Sequence, residues 1–187
     1  MARPRSAGYD GQREQVLAAA AALFAERGYT AATMNELAAA CGVSKATLYH
    51  YVRDKHDLLA QIAGGHVARL EALVADVTAL QLAPEPRLRA LIERFMQAYA
   101  DARHEHRVLT EDVRFLADGD REPVLAGQRR VVAAFSQAIA DLRPELRAAE
   151  LDKPLAMLLF GMINWTFTWL RPQGPLTPLT HEALAPL

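Results

Sequence analysis

Hydrophobic positions recur along this chain at intervals of three and four residues, the spacing that gathers them on one face of a helix. Residues 12–27 place Val16, Ala20, Leu23 and Phe24 on one such face, and Gly28 supplies a C-terminal stop. Thr33-Met34-Asn35-Glu36 reads as a capping box, in which hydroxyl and carboxylate satisfy each other's orphan amides. The short helix it starts turns Met34, Leu37, Ala38 and Cys41 inward and breaks at Gly42. Ser44 caps a third helix through about Tyr51. Asp54 caps a fourth, with Leu58, Ile62, Leu70, Leu73, Val77 and Leu80 as its stripe, and Gly64-Gly65 weakens that helix from within.

The second half continues in this way. Pro84 and Pro86 punctuate, and Leu88, Leu91, Ile92, Phe95 and Tyr99 then mark a helix. Residues 105–117 form another, ending at Asp118-Gly119-Asp120. Pro123 suits a helix start, and Val124, Gln128, Val131, Phe135, Ile139 and Leu142 follow as one stripe. Residues 154–170, PLAMLLFGMINWTFTWL, are apolar nearly all round. Such a helix lies in the core or against a partner, since a solvated surface would not suit it. Pro172, Gly174, Pro175 and Pro178 end it, and the closing THEALAPL has barely begun a further helix. No alternating strand pattern, internal repeat or low-complexity tract interrupts the helices. The expected fold class is all-α, with a three-helix N-terminal domain over residues 1–54 and a larger helical-bundle domain over 55–187.

Composition narrows the function classes only a little. At 187 residues the chain holds one domain or two small ones, with 51% hydrophobic and 23% charged residues. Its net charge of −1 excludes a polycation. Cys41 is the one cysteine, so no internal disulfide forms, and it reads as a small buried hydrophobe in a reducing compartment. No apolar run approaches the roughly 18 residues of a membrane span. The first residues, MARPRSAGYDGQREQ, lack the apolar region of a signal peptide. A soluble cytoplasmic protein with no membrane association is expected.

The stretch VSKATLYHYVRDKHDLL, residues 43–59, carries most of the chemistry. A glycine turn between two short amphipathic helices is helix-turn-helix grammar. Turned through about 100° per residue, the second helix puts Leu48 and Tyr51 inside. Lys45, Ala46, Thr47, Tyr49 and His50 then form the outward face, with Thr47 at its border. A cation, hydroxyls and a small apolar side chain fit the major groove and its phosphates. A solvated polar face on a small helix fits the same pattern. Arg3, Arg5 and Arg13 read either as a solvated tail or as a minor-groove arm.

Catalysis finds little support. His104-Glu105-His106 is the most tempting cluster, but on a helix its histidines point about 200° apart and cannot share a metal; they read as a surface pair. No glycine-rich phosphate loop, paired-cysteine zinc pattern or nucleophile elbow is present. No catalytic residue, metal or cofactor is therefore expected, and the alternative to DNA binding is a helical adaptor whose outer tyrosines bind protein.

The segment GYTAATMNELAAACGVSKATLYHYVRDKHDLL resembles the DNA-binding domain of the TetR family of one-component repressors, almost continuously from Ala18 to Leu59. The resemblance implies a homodimer on palindromic double-stranded operator DNA, with a larger C-terminal domain for ligand binding and dimerisation that releases the DNA when a small effector binds. By the match, Thr33 and Lys55 hold phosphates at helix N-termini. Ser44 belongs to the same DNA-facing set, Lys45, Ala46 and Thr47 face base edges, and Tyr49 and His50 contact the backbone. Many members have glycine where this chain has Ala46. Further on, MLLFGMINWTFTWLRPQGPLT resembles a subgroup with an Asn-Trp pair and an Arg-Pro turn, and DARHEHRVLTEDVRFL its phenylacetate-type branch. Some of these regulators control phenylacetate or fatty-acid degradation and sense acyl-CoA thioesters, which implies phenylacetyl-CoA or a related thioester here. The residues offered to such a ligand are the aromatic Phe95, Tyr99, Phe115, Trp165 and Trp169 and the polar Arg114 and Asn164. The same aromatics would equally fill a core. Arg107, Arg114, Arg129, Arg130 and Arg171 are the cations available to CoA phosphates.

Overall fold

The computed structural model describes residues 7–169, and their side chains except at 7, 8, 10 and 166–169. In chain order the helices are α1 (Ala7–Arg27), α2 (Met34–Ala40), α3 (Lys45–Leu48), α4 (Lys55–Ala79), α5 (Pro84–Asp101), α6 (Arg103–Glu111), α7 (Asp118–Leu142), α8 (Pro144–Ala148) and α9 (Asp152–Trp169). A 3-10 turn over Val113–Phe115 lies between α6 and α7. No strand occurs among the described residues, and the fold is all-α as expected.

Local chemistry explains most helix ends. Gly28 takes φ +82° and its amide reaches the Phe24 carbonyl at 2.8 Å, closing α1 in the left-handed conformation that glycine adopts without strain. The capping box forms: the Glu36 amide donates to Thr33 Oγ1 at 3.2 Å, and the Thr33 amide donates to Glu36 Oε2 at 2.9 Å. Asp54 Oδ1 accepts the Asp57 amide at 2.8 Å at the start of α4.

Elsewhere the structure departs from the pattern. α3 stops at Leu48, because the amides of His50 and Tyr51 bond to the carbonyls of Thr47 and Leu48 and tighten the chain into a turn. The expected 105–117 helix splits, since the Phe115 amide bonds to the Asp112 carbonyl at 2.9 Å. α7 begins at Asp118, five residues before Pro123, with Asp118 and Asp120 placing negative charge on its positive end. Pro123 then sits inside the helix, where it forfeits only the bond to the Gly119 carbonyl near the start. Leu80 lies beyond α4 and is exposed, so it leaves the expected stripe.

The chain forms two compact units, one of residues Met1–His66 and His104–Val124, the other of Val67–Arg103 and Leu125–Leu187. Along α4 the division between these units falls after residue 66. In the first unit α1 packs on α2 and α2 on α3. Its core holds Val16, Ala20, Phe24, Leu37, Leu48, Leu58, Leu59 and Ile62, all buried. α4 runs unbroken through Gly64 and Gly65, where an added Cβ would meet nothing within 4 Å. By length and mean hydropathy (1.2) this helix could cross a membrane, contrary to expectation. Its apolar side chains Leu58, Leu59, Ile62, Val67, Leu70 and Val77 are instead buried in the fold.

The second unit is built around Phe95, Phe135 and Phe160, from α5, α7 and α9. Their rings meet edge to face with centroids 4.9, 6.1 and 4.7 Å apart. At Gly127 an added Cβ would overlap Val67 Cγ1 and lie 3.2 Å from Glu71 Oε2, so α7 approaches this half of α4 only because a side chain is missing. Arg130 pairs with Glu71 beside that contact. α9 has two characters. Ala156, Phe160 and Ile163 are buried, whereas Met157, Leu158, Met162 and Trp165 are 54%, 65%, 63% and 66% exposed. The apolar helix is therefore core on one side and an uncovered apolar stripe on the other.

Candidate nucleic-acid interface

The tight turn between α2 and α3 is made by Gly42 at φ +64°, with the Val43 amide donating to the Ala38 carbonyl at 3.0 Å. Ser44 follows as N-cap: its Oγ accepts the Thr47 amide at 3.0 Å and lies 2.8 Å from Thr47 Oγ1. Leu48 is fully buried and anchors α3. Ser44, Lys45, Ala46, Tyr49 and His50 are exposed, and Thr47 is half-buried at the border. Of the residues expected on the outward face all but Thr47 are thus exposed, and Thr33 is exposed at the N-terminus of α2.

The end of α3 is tied to the start of α1. Tyr9 donates its hydroxyl to the His50 carbonyl at 3.1 Å, and its ring lies 5.0 Å from that of Tyr51. Tyr51 in turn donates to Gln12 Oε1. This accounts for two tyrosines so close together: Tyr49 points to solvent and Tyr51 fixes α1. The role of Tyr9 was not apparent from the sequence, because nothing local links residue 9 to residue 50. Arg13 donates to Gln61 on α4. Arg3 and Arg5 lie outside the described residues.

Lys55 requires a correction. Expected at a phosphate, its ammonium is directed into the unit, donating to the carbonyls of Tyr29, Thr30 and Ala32 at 2.9, 3.2 and 3.0 Å. All three ammonium protons have partners, so a phosphate contact would require breaking one of these bonds. The physical reason is that Asp54 already caps α4, leaving the lysine stem to fold back over the 29–32 turn. Tyr29, also unremarked in the sequence, is the joint of this region. Its hydroxyl lies 3.0 Å from His56 Nδ1, its ring stacks on Phe115 at 5.3 Å, and its backbone holds the Asp112 carboxyl down against burial. Burial, then Asp54 and Asp112, push the Tyr29 phenol upward; burial and Glu111 push the Asp112 carboxyl upward. The thiol of half-buried Cys41 is also raised by burial.

The His104–His106 pair also differs from expectation. His104 is exposed, but His106 is buried, with its Nδ1 3.3 Å from Nε2 of buried His66. His106 falls on the inner face of α6, with Val108 and Leu109 beside it in the buried set. Among the described residues no group of three or more His, Cys, Asp or Glu is arranged to hold a metal ion.

The residues expected at an effector fall in both units. Arg114 and Phe115 belong to the first, where the guanidinium carbon lies 4.9 Å from the Phe115 centroid. Phe95, Tyr99, Asn164 and Trp165 belong to the second. Phe95 is wholly buried and meets Tyr99 at 5.9 Å, so both are core residues here, and burial raises the Tyr99 phenol. Asn164 Oδ1 is buried and finds no hydrogen-bond partner among the described residues. Trp165 is exposed, and the Trp169 side chain lies outside the described residues.

Comparison with known proteins agrees with this geometry at both ends. The profile described as "Bacterial regulatory proteins, tetR family" matches residues 16–62, and "Tetracyclin repressor-like, C-terminal domain" matches 81–183. The chain is 28% identical over 179 residues to the HTH-type transcriptional repressor KstR2 of Mycobacterium tuberculosis, covering 90% of this chain and 86% of that protein. A TetR-family regulator from Bordetella parapertussis 12822 superposes with TM-score 0.86 at 32% identity, over 92% and 91% of the two chains. AibR, solved with isovaleryl coenzyme A and operator DNA, gives 0.79 at 25% identity over 93% and 96%.

Proposed function

The chain belongs to the TetR family of bacterial regulatory proteins, and we propose that it is a ligand-responsive repressor that grips a palindromic operator as a homodimer. The observation that carries this reading is the exposed Lys45, Ala46, Tyr49 and His50 surface on a capped helix, clamped from behind by Leu48 and Tyr9. Thr33 and Ser44 stand at the two helix N-termini, where backbone amides favour phosphate. The exposed stripe of α9 supports the dimer, because Met157, Leu158 and Met162, large apolar side chains on one helix face, favour burial against a second copy. Binding to a selected duplex should weaken steeply as salt rises. Salt-insensitive or absent binding would instead favour the protein-binding adaptor.

The effector class we propose is an acyl-CoA thioester, with phenylacetyl-CoA the first to test. Three things support it: the Asn164-Trp165 motif, the likeness to AibR in complex with a CoA thioester, and the Asn164 amide oxygen left without a partner among the described residues. A buried acceptor costs about 1–3 kcal/mol unless something donates to it. Asn164 serves as polar anchor and Trp165 as apolar wall. An effector shifts the DNA-binding equilibrium only by its differential affinity for the two states. Titrating the operator complex with phenylacetyl-CoA, isovaleryl-CoA, a fatty acyl-CoA and free phenylacetate tests the class. DNA retention at saturating levels of every thioester would exclude it.

A further inference from the structure

We infer that Ala46 reads the methyl group of a thymine in the major groove. This rests on the regulator reading above, in which α3 enters the groove. The Thr47 hydroxyl lies 2.8 Å from Ser44 Oγ, which also accepts the Thr47 amide at 3.0 Å. The hydroxyl is thereby engaged with the helix cap. Leu48, the next residue, is wholly buried. Of the four residues of α3, Lys45 and Ala46 alone are exposed.

Those two side chains speak to different groups. An ammonium suits guanine O6 and N7 or a phosphate, all acceptors. A single methyl offers neither donor nor acceptor, and leaves any base edge it covers unsatisfied unless that edge is itself apolar. Thymine C5-methyl is the one apolar group that the four ordinary bases present in the major groove. The Ala46 position therefore selects thymine by burying methyl against methyl and by desolvating the polar edge of any other base. Removing one buried methyl corresponds to about a fourfold loss of affinity.

The test uses the full-length protein. A binding site is first selected from random-sequence duplex DNA, and each of its thymines is then replaced in turn by uracil, which deletes the methyl and keeps O4 and the base pairing. One symmetry-related pair of thymines should show a penalty of about fourfold per half-site. That penalty should vanish in Ala46→Gly, whereas Lys45→Ala should weaken the thymine and uracil duplexes alike. The uracil scan on the unaltered protein stands even if Ala46→Gly folds poorly. A symmetric site with no uracil penalty, or one with the same penalty in Ala46→Gly, overturns the Ala46 assignment and leaves the regulator reading intact. Failure to select any site overturns both.

Discussion

The Lys55 ammonium lies 4.6 Å from the centroid of the Tyr29 ring while donating to the Tyr29 carbonyl at 2.9 Å. One lysine thus holds both the face and the backbone of one tyrosine. The same tyrosine meets His56, Phe115 and Asp112. The turn after α1, the start of α4 and the 112–115 segment are joined at this point.

Lys55→Ala should therefore act on stability. Charge-assisted hydrogen bonds contribute about 1.5–3 kcal/mol each, and loss of this group should cost about 2–3 kcal/mol in urea unfolding. The logarithmic salt slope of DNA binding should stay unchanged in the folded fraction. A phosphate ligand would instead flatten that slope by about one unit.

Glu36 should give the first unit an acid-sensitive component. The Thr33 hydroxyl and amide, with a smaller contribution from Arg27, hold the Glu36 carboxyl below its ordinary 4.5. A depressed carboxyl contributes stability that is fully present above the unfolded value and is lost as pH falls through the folded one. Unfolding midpoints of wild type and Glu36→Gln should differ near neutrality and converge below that range. Parallel curves down to the acid limit would show that the capping carboxylate is not the source.

Gly127→Ala should force α7 off its seat on α4. The new methyl would overlap Val67 Cγ1, and valine has little rotamer freedom in a helix. Overpacking of this kind costs about 1–3 kcal/mol. Adding Val67→Ala should recover much of the loss in thermal denaturation; no recovery would place the strain elsewhere.

Met162→Lys tests the α9 stripe. The side chain is 63% exposed in the single chain, so the charge should leave the protomer folded. Sedimentation should report twice the chain's 20.6 kDa mass for wild type and the chain mass for the variant. A wild-type monomer that still binds palindromic DNA tightly would remove the stripe from the dimer reading.

What could be read from the sequence was decided locally. The Thr33–Glu36 box, the Gly28 stop and the Ser44 and Asp54 caps depend on groups within four residues, and the structure has them as expected. Lys55 was misplaced because its destination, the 29–32 carbonyls, is set by how α1 meets α4 and not by its neighbours in sequence. Pro123 misled because proline suits a helix start, yet the acidic Asp118–Asp120 turn had already begun one. His106 looked superficial beside exposed His104 because its inner neighbour, His66, lies forty residues away. Phe95 and Tyr99 show the limit for ligand residues: an aromatic core and an aromatic pocket have the same helical spacing.

Gly64 and Gly65 remain without a packing reason, since a methyl at either would touch nothing. Two alanines would make α4 more stable by roughly 1 kcal/mol each in helix propensity alone. The chain instead keeps a short length of soft rod in the middle of a 25-residue helix. Its amides should exchange with solvent faster than those a turn away on either side, and thermal energy should bend the rod there first. Whatever torque reaches this helix will be relieved at that point rather than shared along its length, which makes the glycine pair a mechanical fuse.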